Sequence, residues 1–210
     1  MTFIKKYKMN SKQTNKYTIL YKPYDVLSKF SDAAGRKTIK DLGSFPKVVY
    51  PVGRLDKDSE GLLLLTNDKR LTEHLLNPHF KHEREYLAFV EGIPSDQKLS
   101  ALEAGVEIEG QKTLPAKVSI SKYLPDIPDR IPPPRTYETH SYCWLNIILT
   151  EGRNRQIRHM TAKIGHPTLR LVRWRIANLT LKGLNPGEYR GLTQEELSGL
   201  LTLLRINSQE

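Results

Sequence analysis

The 210-residue chain is poor in the groups from which several kinds of function are built. It has one cysteine, Cys143, so neither an internal disulfide nor a thiolate metal cluster is available. No apolar run is long enough to span a bilayer, and no apolar segment near the N-terminus resembles a secretory signal, so a soluble, cytoplasmic protein without a membrane role is expected. There is no HExxH and no Cys/His pairing at ligand spacing. His159 and His166 lie seven apart with His79 and His82 elsewhere, which reads as surface or helix-end histidines rather than a metal site. "EGRNRQIR" holds one glycine and no GK[ST], and no G-x-G-x-x-G follows a strand, so neither metal nor nucleotide cofactor is expected. Ser59 lacks a nucleophile elbow, and Cys143 stands inside an apolar strand.

Acid is missing from one place in particular. Residues 1–16 carry five lysines and no carboxylate, and residues 151–175 carry six arginines and one lysine against a single glutamate. The remainder is close to balanced, so the net charge of +10 is concentrated in a tail and one 25-residue block. A concentrated excess points to a polyanion, and nucleic acid is favoured over a membrane surface because neither segment has an amphipathic Leu/Trp face. "MTFIKKYKMNSKQTNK" (1–16) has no periodic apolar face and reads as a disordered tail, either grazing RNA or reflecting an alternative start at Met9.

From residue 17 the pattern is that of a folded domain running to 210. "YTILYKP" reads as a strand ended by Pro23, and "GRKTIKDLG" as a short helix closed by Gly43. "EGLLLLT" has the continuous apolar character of a strand buried on both faces. Asp68 can cap a helix over Lys69–Leu76, "EREYLAFVEG" alternates like a strand, and Ser95 opens a helix to Ala104 with Gly105 as its stop. "VEIEG" and "AKVSISKYL" look like a strand pair, and residues 125–140, with five prolines, form a surface loop before the strand "YCWLNIILT". Asn154 can cap a helix over 155–164 with Ile157, Met160, Thr161 and Ile164 on one stripe. Thr193 and Glu196 make a capping box before a closing helix that lines up Leu197, Leu200, Leu201 and Leu204. Strands and helices mix without strict alternation, so the fold class is α+β.

What remains for chemistry is carboxylates and arginines. "GRLDKDSEGLLLLTND" (53–68) packs three acids and two bases into positions 54–60, then enters the leucine strand. Leu55 can point into the core while Arg54 and Asp56, its alternating neighbours, face a cleft. Asp58 and Glu60 are rival carboxylates with solvent-facing or capping roles, and spacing alone does not decide among the three. Arg153, Arg155 and Arg158 crowd the start of the helix after Asn154, where cations oppose the helix dipole, so an anion is expected there. Arg158, beside the core-anchoring Ile157, sits where a guanidinium wants a carboxylate partner.

Four ordered stretches together resemble the pseudouridine synthases that modify small- and large-subunit rRNA. They are "YKPYDVLSKFSDAAGRKTIKDL" (21–42), the 53–68 segment, "LTEGRNRQIRHM" (149–160) and "GHPTLRLVRWRIANLTLKGLNPGEYRGLT" (165–193), and their details look most like the E-type large-subunit (23S) branch. The resemblance implies an α+β catalytic domain with two subdomains around a mixed, mostly antiparallel sheet and the active site in the cleft between them. It also implies uridine isomerisation in rRNA without a cofactor. Some relatives carry an N-terminal S4 domain, and with the first motif near residue 19 none is expected here. By motif matching, the catalytic aspartate is Asp56 and the third-motif arginine that pairs with it is Arg158. Arg54 fills the gap left by the flipped uridine, and Tyr86 packs against the uracil. Lys22, Arg84, Arg153, Arg155, His159, Arg170 and Arg173 are expected to contact RNA. Two positions depart from the family pattern, Arg84 where lysine is usual and His159 where arginine is usual, and neither touches the Asp–Arg pair.

A uridine in folded RNA must leave its stack before its glycosidic carbon can be reached, and a wedge, a stacking ring and phosphate-binding cations are what such a step requires. Two other classes compete: an RNA-binding or assembly module on the same fold, which would have lost Asp56, Tyr86 or Arg158, and a carboxylate glycosidase, which would place two acids across a sugar. A monomer is expected, since no coiled-coil seam is present.

Overall fold

The computed structural model describes residues 14–206. In chain order its strands and helices are β1 (Tyr17–Lys22), β2 (Tyr50–Pro51), β3 (Glu60–Thr66), α1 (Lys69–Leu76), β4 (Arg84–Glu91), α2 (Asp96–Ala104), β5 (Glu107–Ile108), β6 (Gln111–Lys112), β7 (Lys117–Ile120), β8 (Tyr142–Leu149), α3 (Gln156–Lys163), β9 (Thr168–Ile176), β10 (Leu179–Thr180), β11 (Tyr189–Gly191) and α4 (Gln194–Leu203). One mixed sheet runs β11-β1-β3-β9-β4-β8-β7, with β2 added to β3 and β10 to β9. The β3–β9 pairing is parallel and the other pairings in this sheet are antiparallel.

The leucine run becomes β3, buried at every position, because it is covered on both faces. Leu62 and Leu64 pack with Leu71 and Leu75 of α1, Leu200 of α4 and Leu204 just after it, while Leu63 and Leu65 pack with Val26, Ile39 and Val49. A separate core under the other half of the sheet joins Val90, Leu145 and Ile147 to Leu102 of α2 and to Ile157 and Met160 of α3. The helix ends follow local chemistry. Asp68 accepts from the backbone N–H groups of Arg70 and Leu71, and Thr193 and Glu196 form the expected capping box. Gly61 has φ 117°, and a Cβ there would lie 2.4 Å from the Arg173 carbonyl oxygen, so the β3–β9 approach requires glycine.

Three local expectations need correction. The segments 106–110 and 116–124 do not pair with each other: β5 and β6 close their own hairpin, and β7 pairs with β8. Ser95 precedes α2 without a side-chain cap. Asn154 does not cap α3; the cap position is Arg155, held in the left-handed region at φ 46°. Of the basic tail, residues 1–13 lie outside the described residues. Within the remainder, Asn15 donates to the Asp68 carboxylate and the Lys16 backbone N–H to Asn67 Oδ1, so the chain is already docked one residue before β1.

Candidate active site

The 52–59 loop is held from below by the segment after β1. The Ser28 hydroxyl accepts from the Leu55 N–H (3.0 Å) and donates to the Leu55 carbonyl (2.8 Å), satisfying both polar groups of one buried residue. Asp25 binds the other side of Asp56, its N–H donating to the Lys57 carbonyl (2.9 Å) and its carboxylate pairing with Lys57 Nζ (2.8 Å). A turn bond from the Ser59 N–H to the Asp56 carbonyl (3.1 Å) closes the loop into β3. Leu55 is buried and Arg54 exposed, as the alternation predicts. Asp56 is therefore fixed through its two neighbours, each tied to the Lys-Pro segment.

Asp56 opens into a cleft of about 260 Å³ together with Arg54, Tyr86, Leu149, Arg155 and Ile157. Its side chain is 37% exposed, and the cation beside it is Arg155, whose Nη1 lies 3.6 Å from Asp56 Oδ2. Arg155 itself is clamped by Asp58, donating from Nη1 and Nη2 to the two carboxylate oxygens at 2.9 Å each. Arg158 also goes to Asp58: Nη2 donates to its backbone carbonyl (2.7 Å), and Nε is 3.4 Å from its carboxylate. The expected Asp56–Arg158 ion pair is thus not formed in this structure, because the Asp58 backbone and side chain occupy the guanidinium first. Burial would raise the Asp58 carboxyl, but the Arg155 hydrogen bonds and the Arg158 and Arg155 charges outweigh it and hold it below the usual carboxylate range.

Several residues expected to meet RNA are tied to groups within the protein. Lys22 is fully buried, with Nζ donating to the Val26 (2.7 Å) and Pro23 (2.9 Å) carbonyls. Burial pushes its ammonium down to about 7, against the favourable charges of Glu60, Asp58 and Asp56. Arg170 is buried in a two-pronged bond to Glu60 at 2.9 and 3.0 Å, so Glu60 is neither solvent-facing nor a cap. Arg173 is buried and donates to the Leu62 carbonyl. Half-buried Arg84 donates to the Leu75 carbonyl at the end of α1. Arg153 pairs with Glu151 and binds the carbonyls of Gln111 and Lys112, tying the β5–β6 hairpin to the cleft wall. His159 is partly exposed, 3.9 Å from Glu109. The anion expected near the start of α3 is supplied by the protein's own Asp58 and Glu151.

Sequence reasoning missed Ser28, and Asp58 as the anchor of two arginines. Ser28 gave no signal, since nothing local shows that a hydroxyl will span a peptide 27 residues away. Asp58 was in view, and its role appears only when α3 folds across the loop. Among the described residues no group of three His, Cys, Asp or Glu side chains is placed to hold a metal ion.

The profile of the family described as RNA pseudouridylate synthase matches residues 16–163, which include β1, the 52–59 loop, Tyr86 and α3. The chain belongs to the RNA pseudouridylate synthase family. It is an isomerase that converts uridine to pseudouridine. It is 48% identical over 178 residues to the ribosomal large subunit pseudouridine synthase E of Vibrio parahaemolyticus, covering 85% of this chain and 74% of that one. The enzyme of the same name from Xanthomonas campestris is 46% identical over 174 residues, covering 82% of this chain and 92% of the relative. The dual-specificity RNA pseudouridine synthase RluF of Escherichia coli is 36% identical over 91% of this chain and 59% of its own length. A crystal structure of a pseudouridylate synthase superposes with a TM-score of 0.73 at 28% identity, over 89% of this chain and 74% of the other. Human RNA pseudouridylate synthase domain containing 1 shares the fold at a TM-score of 0.54. The α+β pseudouridine synthase fold expected from the sequence is the one observed. Among the described residues no helix is long and apolar enough to cross a membrane.

Proposed function

We propose that this pseudouridine synthase acts on one uridine of large-subunit (23S) rRNA, as a cytoplasmic monomer, with Asp56 as its catalytic nucleophile or base. The observation that supports this reading is the shared cleft, where Asp56, Tyr86, Ile157 and Arg54 meet around a space of about 260 Å³. A uridine turned out of its stack enters between the Tyr86 ring and the apolar wall of Leu149 and Ile157, which brings its ribose and base to Asp56. Arg54, exposed at the rim, stands where it can replace the departed base. The isomerisation breaks the N1–C1′ bond and forms a C5–C1′ bond, and the proton lost from C5 is balanced by one gained at N1. An ionised Asp56 serves as the attacking or proton-accepting group, and Arg155 at 3.6 Å stabilises its negative charge. Identity of 48% and 46% to two enzymes named ribosomal large subunit pseudouridine synthase E supports the choice of rRNA.

The test is a pseudouridine map of rRNA, by carbodiimide-blocked primer extension, from cells with and without the gene. Loss of a single stop in large-subunit rRNA, restored by the wild-type protein, is the expected result. An unchanged large-subunit map would overturn the assignment of substrate.

A further inference from the structure

A second and larger cleft, about 690 Å³, lies along the α1–β4 connection and shares no lining residue with the Asp56 cleft. Its walls carry His74, His79, Phe80 and His82, with Lys81 and Arg205 among its lining residues. Three of the rings stack in near-parallel planes: His74 and Phe80 have centroids 4.3 Å apart at 12°, and Phe80 and His82 are 6.1 Å apart at 17°. His79 meets Phe80 edge-on at 5.8 Å. Phe80 is 39% exposed, so part of its ring is open to the cleft.

Polar groups in the cleft also lack partners. His74 Nδ1 and His82 Nε2 are buried and make no hydrogen bond to any described residue. A buried, unpaired ring nitrogen normally costs about 1–3 kcal/mol, so such an atom marks a place where another donor or acceptor belongs. Burial first, and then the charges of Arg84 and His74, hold His82 below the usual histidine range, so its ring is neutral at physiological pH. Lys81 and Arg205 have no ion-pair partner among the described residues, and Glu83 is engaged by Lys117 and Arg175.

The two clefts are neighbours. Arg84 donates to the carbonyl of Leu75, next to His74, and its Nη1 lies 3.9 Å from where a Cβ on Gly152 of the Asp56 cleft would stand. Glu83 lines the larger cleft and Tyr86 the smaller, so β4 joins the walls of the two.

We propose that the His74–Phe80–His82 cleft is a second nucleobase site, taking an unpaired base of the same RNA whose target uridine enters the Asp56 cleft. The base extends the stacked column, and Lys81 and Arg205 hold the adjoining phosphates. This rests on the reading of the chain as an RNA-modifying enzyme and adds a point of substrate selection to it.

The test uses the full chain with three probes: adenosine monophosphate, a nine-residue oligo(A) ribonucleotide, and an abasic oligomer of the same length. In carbon–proton correlation spectra, adenosine monophosphate should shift the ring signals of His74 and His82. Phe80→Leu should bind oligo(A) about tenfold more weakly than wild type and the abasic oligomer equally well, and Phe80→Trp should restore the affinity. Phe80 is exposed at its rim, so both variants should fold, and their circular dichroism and melting temperatures should match wild type. With an unmodified large-subunit rRNA transcript, Phe80→Leu should raise KM and leave kcat unchanged. Unshifted histidine signals, or equal loss of affinity for the abasic oligomer, would overturn the proposal. Wild-type turnover of the transcript reports separately on the proposed reaction, so failure of the second site and failure of the function are told apart.

Discussion

Arg155 and Asp58 face each other across the cleft through two parallel hydrogen bonds of 2.9 Å, and that pair decides where the other charges lie. It brings Arg155 Nη1 to 3.6 Å from Asp56 while Arg158 stays on Asp58. Asp58 therefore acts as a positioning residue for the cation that faces Asp56.

Asp58→Asn should release both arginines. kcat should fall about tenfold with a smaller change in KM, since the lost arrangement matters most when charge develops in the reaction. Asp58 is partly exposed, so stability should drop by only about 1 kcal/mol or less at neutral pH. Because the carboxyl is held below its usual range, that contribution is present above the unfolded pKa and is lost as pH falls through the folded one. Wild type and variant should converge in urea-melt stability toward low pH; a gap that widens there would contradict the arrangement.

Ser28→Ala leaves the Leu55 N–H and carbonyl without their shared hydroxyl in a buried place. A loss of about 1–3 kcal/mol and a reduced kcat are expected, with Ser28→Thr recovering part of both. Equal kcat in the alanine variant would mean that the hydroxyl stabilises the loop without positioning Asp56.

Gly61→Ala sets a methyl group against the Arg173 backbone at a φ of 117°. Strain and overpacking together should cost about 3 kcal/mol, lowering Tm by roughly 6–12 °C in a scan. An unchanged Tm would show that β3 and β9 can separate.

Lys22 has the same sign as the lowered Asp58 carboxyl, in a higher pH window. Its ammonium is held down to about 7 by burial, so between that pH and the ordinary lysine pKa the unfolded chain binds more protons than the folded one. Wild-type stability should gain from Lys22 as pH rises through this window, and Lys22→Met should lose that rise. Denaturant unfolding at pH 7 and pH 9.5 reads the difference; the same slope in both proteins would contradict the buried ammonium.

The legible parts of this chain were those set by local chemistry. β3 was readable because leucines at successive positions leave no polar face, and the caps at Asp68 and Thr193 because they satisfy N–H groups within one turn. Asp56 could be singled out through the resemblance, and its cleft neighbours Tyr86 and Ile157 came with it. The internal partners of the arginines were hidden for one physical reason. Glu60 lies 110 residues from Arg170 and Asp58 lies 97 from Arg155, so a cluster that is strongly positive in sequence is largely neutralised within the fold. Lys22 was hidden similarly, its carbonyl partners appearing only when the Lys-Pro segment curls under the loop.

The most direct test of the central claim uses purified wild type and Asp56→Asn with an unmodified large-subunit rRNA transcript, reading pseudouridine by mass spectrometry and RNA affinity in parallel. Wild type should form one pseudouridine per transcript, and Asp56→Asn none, with its affinity and melting temperature close to wild type. Pseudouridine formed by Asp56→Asn at the wild-type rate would place the catalytic group elsewhere and contradict this account.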